Sequence, residues 1–381
     1  MSWPLVNIND ICRPKQWKTV SSSKLLEEGY PVYGANGRIG YYSEYTHEFP
    51  TLMITCRGAT CGNVHISVPK AYINGNAMAL DGLDSEKYSI KYLFYYFKSR
   101  GFNDVISGSA QPQITRQGLS KIEIPLPPLP VQKQIAAVLE KADTLRSQCQ
   151  QMEQELNSLA QSVFLDMFGD PTQTTLSKLK LSECLSKMES GWSPNCESFA
   201  AAAGRPGILK LGAVTSGVYL EKENKAMIDG SEPKKALEVK SGDLLFTRKN
   251  TFDLVAAVAY VRRTRSKLYI PDLIFRFVPI EDKPISKIYL WGLFSSVNFR
   301  KVVQSLATGA AGSMPNISKA KLLDLEIPFP PIELQEQYEN RIVKIWELVA
   351  THEAKKKKVN EAFESVLQRA FKGELDLKDV A

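Results

Sequence analysis

The chain has 381 residues, is 44% hydrophobic and carries 48 Lys and Arg against 41 Asp and Glu, a net charge of +7. That is enough for two or three domains with real cores, and no apolar run approaches the roughly 18 residues a membrane span needs. The start, MSWPLVNINDICRPKQW, has no basic stretch before an apolar block, the six cysteines contain no CxxC pair, and the histidines (47, 65, 352) stand far apart. These features suit a reduced, cytoplasmic protein without a signal peptide and argue against a His-rich metal site.

Residues 1–128 are rich in Gly, aromatic and β-branched residues with frequent turn signals, as in YPVYGANGRIGYY (30–42) and TLMITCRGATCGNV (51–64). The pattern predicts short strands joined by loops, with a helix at SIKYLFYYFKS (89–99). After Pro130 the character changes. Val131 to Val163 contains neither Pro nor Gly. Apolar residues recur there at Val131, Ile135, Val138, Ala142, Leu145, Cys149, Met152, Leu156, Leu159 and Val163, in steps of four and three. Such spacing is a coiled-coil seam. It predicts a helix to about Phe168, stopped by Gly169-Asp170-Pro171. At 1.5 Å per residue that helix is roughly 60 Å long, so it must span something or pair with a second long helix.

Residues 171–331 read again as strands and loops, as in SGDLLFTRKN (241–250) and VAAVAYV (255–261), with a helix at SKIYLWGLFSS (286–296). Within them, 240–276 holds eight Lys and Arg against three Asp. A clustered excess suits a phosphate-facing surface or simply a solvated basic face. Residues 332–371 lack Pro and Gly and end at Phe371-Lys372-Gly373. Their seam runs through Tyr338, Ile342, Ile345, Val349, His352, Val359, Phe363, Val366 and Ala370, interrupted by HEAKKKK (352–358).

A repeat ties the halves together. SAQPQITRQGLSKIEIPLPPLPVQKQ (109–134) returns as GSMPNISKAKLLDLEIPFPPIELQEQ (312–337), with Pro112 on Pro315, Glu123-Ile124-Pro125 on Glu326-Ile327-Pro328, and Gln132 on Gln335, all at an offset of 203. Solenoid periods run about 20–50 residues, so this is one duplicated unit of head plus helix. The expected fold class is α+β. Two globular domains of mixed strands and short helices are separated by two long helices forming an antiparallel coiled coil, with an internal pseudo-twofold repeat. The expected boundaries are a head at 1–128, a spacer helix at 129–170, a head at 171–331, a spacer helix at 332–372 and a tail at 373–381.

If the two heads read DNA, their chemistry is hydrogen bonding rather than catalysis. Arg can bridge guanine O6 and N7, and Asn or Gln adenine N6 and N7. DNA-binding candidates on turn-like segments are Asn36, Arg38, Arg57 and Asn76 in the first head and Arg248, Lys249 and Asn250 in the second. Arg262 and Arg263 would hold phosphates. Leu126-Pro127-Pro128-Leu129 and Phe329-Pro330-Pro331-Ile332 lack the polar residue before and the aromatic after that an adenine methyltransferase uses on a flipped base. TGAAGSMPN (308–316) lacks the Gly-Lys-Ser/Thr of a phosphate loop. Pro271-Asp272 with Glu281-Asp282-Lys283 is only a loose echo of a metal-dependent nuclease motif. No catalytic residue, metal or cofactor is expected. The alternatives are a stand-alone nuclease or methyltransferase, and a coiled-coil adaptor that binds only protein.

The run QPQIT…IPLPPLPVQKQIA (111–136), followed by a long helix and echoed by MPNIS…IPFPPIELQEQ (314–337), resembles the specificity subunit of type I restriction-modification systems over essentially the whole chain. The resemblance implies two variable target-recognition domains and no catalytic activity. It implies double-stranded DNA as partner, read as two half-sites with a fixed gap. It also implies two methyltransferase subunits acting on adenine N6 and ATP-dependent restriction subunits, with no membrane. It sets Arg57 of ITCRGATCGNV (54–64) and Arg248 of DLLFTRKN (243–250) at equivalent points. The second helix departs from the first, with Tyr338-Glu339-Asn340 where the first has Ile135-Ala136-Ala137.

Overall fold

The structure, a computed structural model, describes residues 3–35, 37–108, 111–281, 285–309, 314–375 and 377. The chain divides into two compact units, residues 1–151 with 354–381, and residues 152–353.

In the first unit the chain enters on strand Leu5–Asn7, which pairs antiparallel with Glu123–Pro125, the last strand before the helical arm. A four-stranded antiparallel sheet follows in the order Arg13–Gln16, Ala77–Asp81, Leu52–Thr55, Val64–Ile66. A three-stranded sheet sets Tyr30–Gly34 between Gly37–Tyr42, antiparallel, and Tyr72–Ile73, parallel. The strand Leu52–Thr55 is buried throughout because both its faces are covered. Leu52 and Ile54 point into a core with Tyr92 and Phe97, while Met53 points the other way onto Ile73, Ala77 and Ala79, as the two-residue period of a strand requires. Helix Ile90–Arg100 closes the first of these cores. Ser89 caps it by accepting from the Tyr92 N–H, and Gly101, at φ 65°, ends it.

The second unit repeats this plan. Lys178–Lys180 pairs with Glu326–Pro328. The four-stranded order is Leu185–Ser190, Ile274–Pro279, Leu244–Thr247, Val258–Tyr260, and the three-stranded order is Asn224–Ala226, Gly207–Leu209, Leu268–Tyr269. Again one pair of the smaller sheet is parallel. Leu244 and Phe246 face one core and Leu245 another. Duplication therefore extends through the heads, where sequence matching had stopped at the junction.

The arms are single helices, Leu129–Phe168 and Ile332–Lys372. Gly169, at φ 70°, ends the first and Gly373, at φ 73°, the second, the left-handed C-terminal glycine that L-residues avoid. In the first unit Ile135, Ala136 and Leu139 share a core with Phe363, Leu367 and Ala370. In the second, Ala160, Phe164 and Phe168 share one with Tyr338, Ile342, Ile345 and Val349. Early residues of one helix meet late residues of the other in both units, so the pairing is antiparallel. The seam is not the expected one in the first helix. Leu145, Met152 and Leu159 are exposed, whereas Ala136, Leu139, Ala160 and Phe164 are buried. Near its ends the helix packs on a head as well as on the other helix, so the buried stripe follows the 3.6-residue period of a wider face rather than a strict heptad.

Candidate nucleic-acid interface

The repeated junction positions each head on its arm. Gln132 is buried, and its amide accepts from the Ser89 N–H at 2.8 Å and donates to the carbonyls of Pro127 at 2.8 Å and Lys87 at 3.2 Å. Gln335 is buried likewise, accepting from the Ser286 N–H and donating to the Pro330 carbonyl, both at 2.9 Å. Ser89 and Ser286 each cap the helix of their own head. One turn on, the Tyr92 hydroxyl donates to the Pro125 carbonyl and the Tyr289 hydroxyl to that of Pro328. Burial raises the Tyr92 and Tyr289 hydroxyls well above the ordinary tyrosine range, which keeps both as donors. The prolines and glutamines of the repeat are thus a clamp holding arm, strand and head helix together.

Each central strand runs out into a turn pinned by that same repeat. Arg57 bridges Gln113, and Lys249 bridges Asn316. The Cys56 carbonyl accepts from the Ile114 N–H at 3.0 Å, and the Arg248 carbonyl from the Ile317 N–H at 2.8 Å. The backbone register therefore makes Lys249, not Arg248, the counterpart of Arg57; Arg248 corresponds to Cys56. Gln113 and Asn316 had not been singled out as site residues, although the repeat offset aligns them.

In the first head Arg57 and Arg38 are both exposed. The Ala35 carbonyl accepts from the hydroxyls of Thr55 at 3.1 Å and Thr60 at 2.8 Å, tying the hairpin that carries Arg38 to the turn after Arg57. Arg38 lies 5.5 Å from the ring of Tyr41. Asn76 is half-buried, and its carbonyl accepts from the Cys56 N–H at 3.0 Å. Asn36 lies outside the described residues, as do Asp282 and Lys283 of the nuclease-like pattern.

In the second head the basic stretch is split between surface and interior, with Lys240, Arg262, Arg263 and Lys267 exposed, Arg248, Lys249 and Arg265 half-buried and Arg276 buried. Arg248 is half-buried and donates to the Asp272 carbonyl at 2.8 Å and to Asn316 Oδ1 at 3.2 Å. Asn250 is buried, donating to Thr215 Oγ1 and accepting from the Thr251 N–H. Arg265 donates to the carbonyls of Arg205 and Ala201, Lys267 to that of Gly204, and Arg276 is buried against Glu189 and Asp243. Arg262 sits 5.7 Å from the Trp346 ring, and burial there lowers its pKa. It lines a cleft of about 300 Å³ together with Tyr260, Trp291 and Arg300. Arg263 is exposed, as is Lys240, and Lys249 is half-buried.

Comparison with known proteins agrees with this architecture. Residues 2–158 match the family model of the type I restriction modification DNA specificity domain. The chain is similar to the type I restriction enzyme EcoEI specificity subunit of Escherichia coli, 34% identical over 157 residues, which cover 41% of this chain and 26% of the relative. It is similar to the EcoKI specificity subunit of Escherichia coli strain K12, 24% identical over 311 residues, which cover 74% of this chain and 65% of that one. The chain thus spans about a quarter of the first relative and about two thirds of the second. In fold it is similar to the S subunit of a type I restriction-modification system from M. genitalium, with a TM-score of 0.63 at 14% identity over 97% of this chain and 96% of the other. The family model thus lies on the first head and the start of its arm, and the second head repeats the same strand plan.

Proposed function

We propose that this chain is the non-catalytic DNA-reading subunit of a type I restriction-modification complex. It recognises a bipartite double-stranded target with a fixed gap and directs adenine-N6 methyltransferase and ATP-dependent restriction subunits, in the cytoplasm. The observation that carries this reading is the pair of equivalent turns, Arg57 bridged to Gln113 and Lys249 bridged to Asn316, each at the end of a rigid central strand. Two such heads read two half-sites, as the halves of a dimeric DNA binder do. Exposed apolar residues on the arms, Leu145, Met152, Leu159 and Leu348, support protein partners there, two methyltransferase subunits among them.

Within this reading Arg38 and Arg57 touch DNA in the first head and Lys249 in the second, with Arg263 on a phosphate. Asn76, Arg248, Asn250 and Arg262 hold these segments in place. Arg57→Ala is expected to weaken binding to one half-site by about 1–3 kcal/mol if the contact is to a base edge. Equal loss on every duplex, with a shallower salt dependence, would assign it to phosphate instead.

The deciding experiment is co-expression with the methyltransferase subunit of a type I system in a host free of other adenine methylation, followed by single-molecule mapping of N6-methyladenine. A two-part motif with a fixed gap, lost on disrupting either head, is the expected result. An intact complex that leaves no new methylation would turn the reading toward a protein-only adaptor.

A further inference from the structure

The clamp aligns the two head helices residue by residue: Ser89 with Ser286, Tyr92 with Tyr289, and hence Tyr95 with Gly292. The repeat offset aligns the arms in the same way, Ile135 with Tyr338 and Leu367 with Phe164. All six residues lie on helices packed in the cores of their own units, and all are buried. At this shared position the first unit has a large residue on the head, Tyr95, and aliphatic residues on the arms, Ile135 and Leu367. The second has no side chain on the head, Gly292, and two aromatics on the arms.

The fit in the second unit is tight. A Cβ on Gly292 would lie 2.7 Å from the Phe164 ring and 2.9 Å from Cζ of Tyr338, with the Tyr338 hydroxyl closer still. Real Cβ atoms do not approach so closely, and both rings are held by further aromatic contacts, Phe164 to Tyr289 and Tyr338 to Phe168. Gly292 has helical neighbours on both sides, where glycine is disfavoured relative to alanine. Its presence is explained by the close approach and not by backbone conformation.

We infer that these two trios are complementary keys that assign each head to its own arms. The first head seated on the arms of the second would drive Tyr95 into Phe164 and Tyr338. The second head on the arms of the first would set Gly292 against Ile135 and Leu367 and leave a void. The heads share a topology and a clamp, yet they are not interchangeable until the trio travels with them. The inference does not depend on what the heads read.

The test is thermal unfolding of the full chain with Gly292→Tyr in two backgrounds, wild type and Phe164→Leu/Tyr338→Ile. In the wild type the substitution is expected to lower the transition of the second unit by about 5–10 °C. In the second background, which carries the aliphatic pair of the first unit, it is expected to raise that transition. If the wild-type variant yields no folded protein, Gly292→Ala takes its place. Helix propensity alone would make alanine stabilising, so a fall in the wild type and a rise in the second background carry the same meaning. A fall of equal size in both backgrounds, or no fall in the wild type, overturns the inference.

Discussion

Arg276→Met is expected to destabilise the second unit by about 3–5 kcal/mol, the cost of stripping the partner from buried carboxylates. Arg276 is buried, its Nε donates to Glu189 at 2.6 Å, its Nη1 to Asp243 at 3.1 Å and to the Glu238 carbonyl at 2.7 Å, and its Nη2 to the Ala236 carbonyl at 2.6 Å. Methionine fills similar volume but answers none of these acceptors. Lys187 still reaches Glu189 at 2.6 Å and the Lys240 N–H still reaches Asp243 at 2.9 Å, so the loss is large but not total. Urea unfolding of the full chain, followed through the second unit, measures it. A loss under about 1 kcal/mol would show that the pairing contributes no more than an exposed ion pair does.

The same network has a pH signature. Burial alone would raise the Glu189 carboxyl, but the hydrogen bonds from Lys187 and Arg276 and their charges outweigh it and hold its pKa below the ordinary range. A carboxyl lowered by folding contributes stability that is complete above its unfolded value, about 4.3. That contribution is lost as pH falls through the folded value. Wild type should therefore lose stability below about pH 4 more steeply than Arg276→Met, and the two acid limbs should converge as Glu189 protonates. Parallel limbs would remove Glu189 as the titrating group.

Gln335→Leu is the second large expected effect, about 2–5 kcal/mol, because it leaves two buried backbone groups unanswered at about 1–3 kcal/mol each. Those groups are the Ser286 N–H and the Pro330 carbonyl. The damage should extend beyond them. Ser286 caps the head helix through Ile288 and Tyr289 and also donates to Glu339 on the arm at 2.7 Å, so the head helix and the arm lose their common anchor. Trp291 and Trp346, whose rings lie 5.2 Å apart in the same unit, report the change by fluorescence during unfolding. Gln132→Leu should cost a similar amount in the first unit, and the double variant should lose the sum, since the clamps share no partner. A midpoint unchanged from wild type would make the repeated glutamines dispensable.

Much of the architecture was legible in the chain because it is written locally. The arms announce themselves by an absence of Pro and Gly over long windows and by their glycine stops, and the junction by residues repeating in register. The heads were legible only as strands and turns. Their shared topology depends on pairings between segments far apart in sequence, such as Leu5 with Pro125 and Lys178 with Pro328, and no short-range pattern encodes those. The candidate site was harder still. Arg248 and Arg57 look alike in a string of letters, yet a one-residue difference in register turns Arg248 toward Asp272 and Asn316. Likewise the basic run at 240–276 reads as surface charge, while Arg265, Lys267 and Arg276 satisfy carbonyls and carboxylates of their own head.

The pairing of the first strand of each head with the strand that leads into the arm also fixes how a head answers force. Chain enters at Pro4 and leaves at Leu126, whose N–H donates to the Pro4 carbonyl at 2.8 Å; in the second head Phe329 does the same to Ser177 at 2.8 Å. Tension between entry and exit therefore pulls an antiparallel three-residue ladder apart from one end, breaking its bonds in turn instead of loading them together in shear. Such a head should peel open at low load in a tethered-molecule experiment.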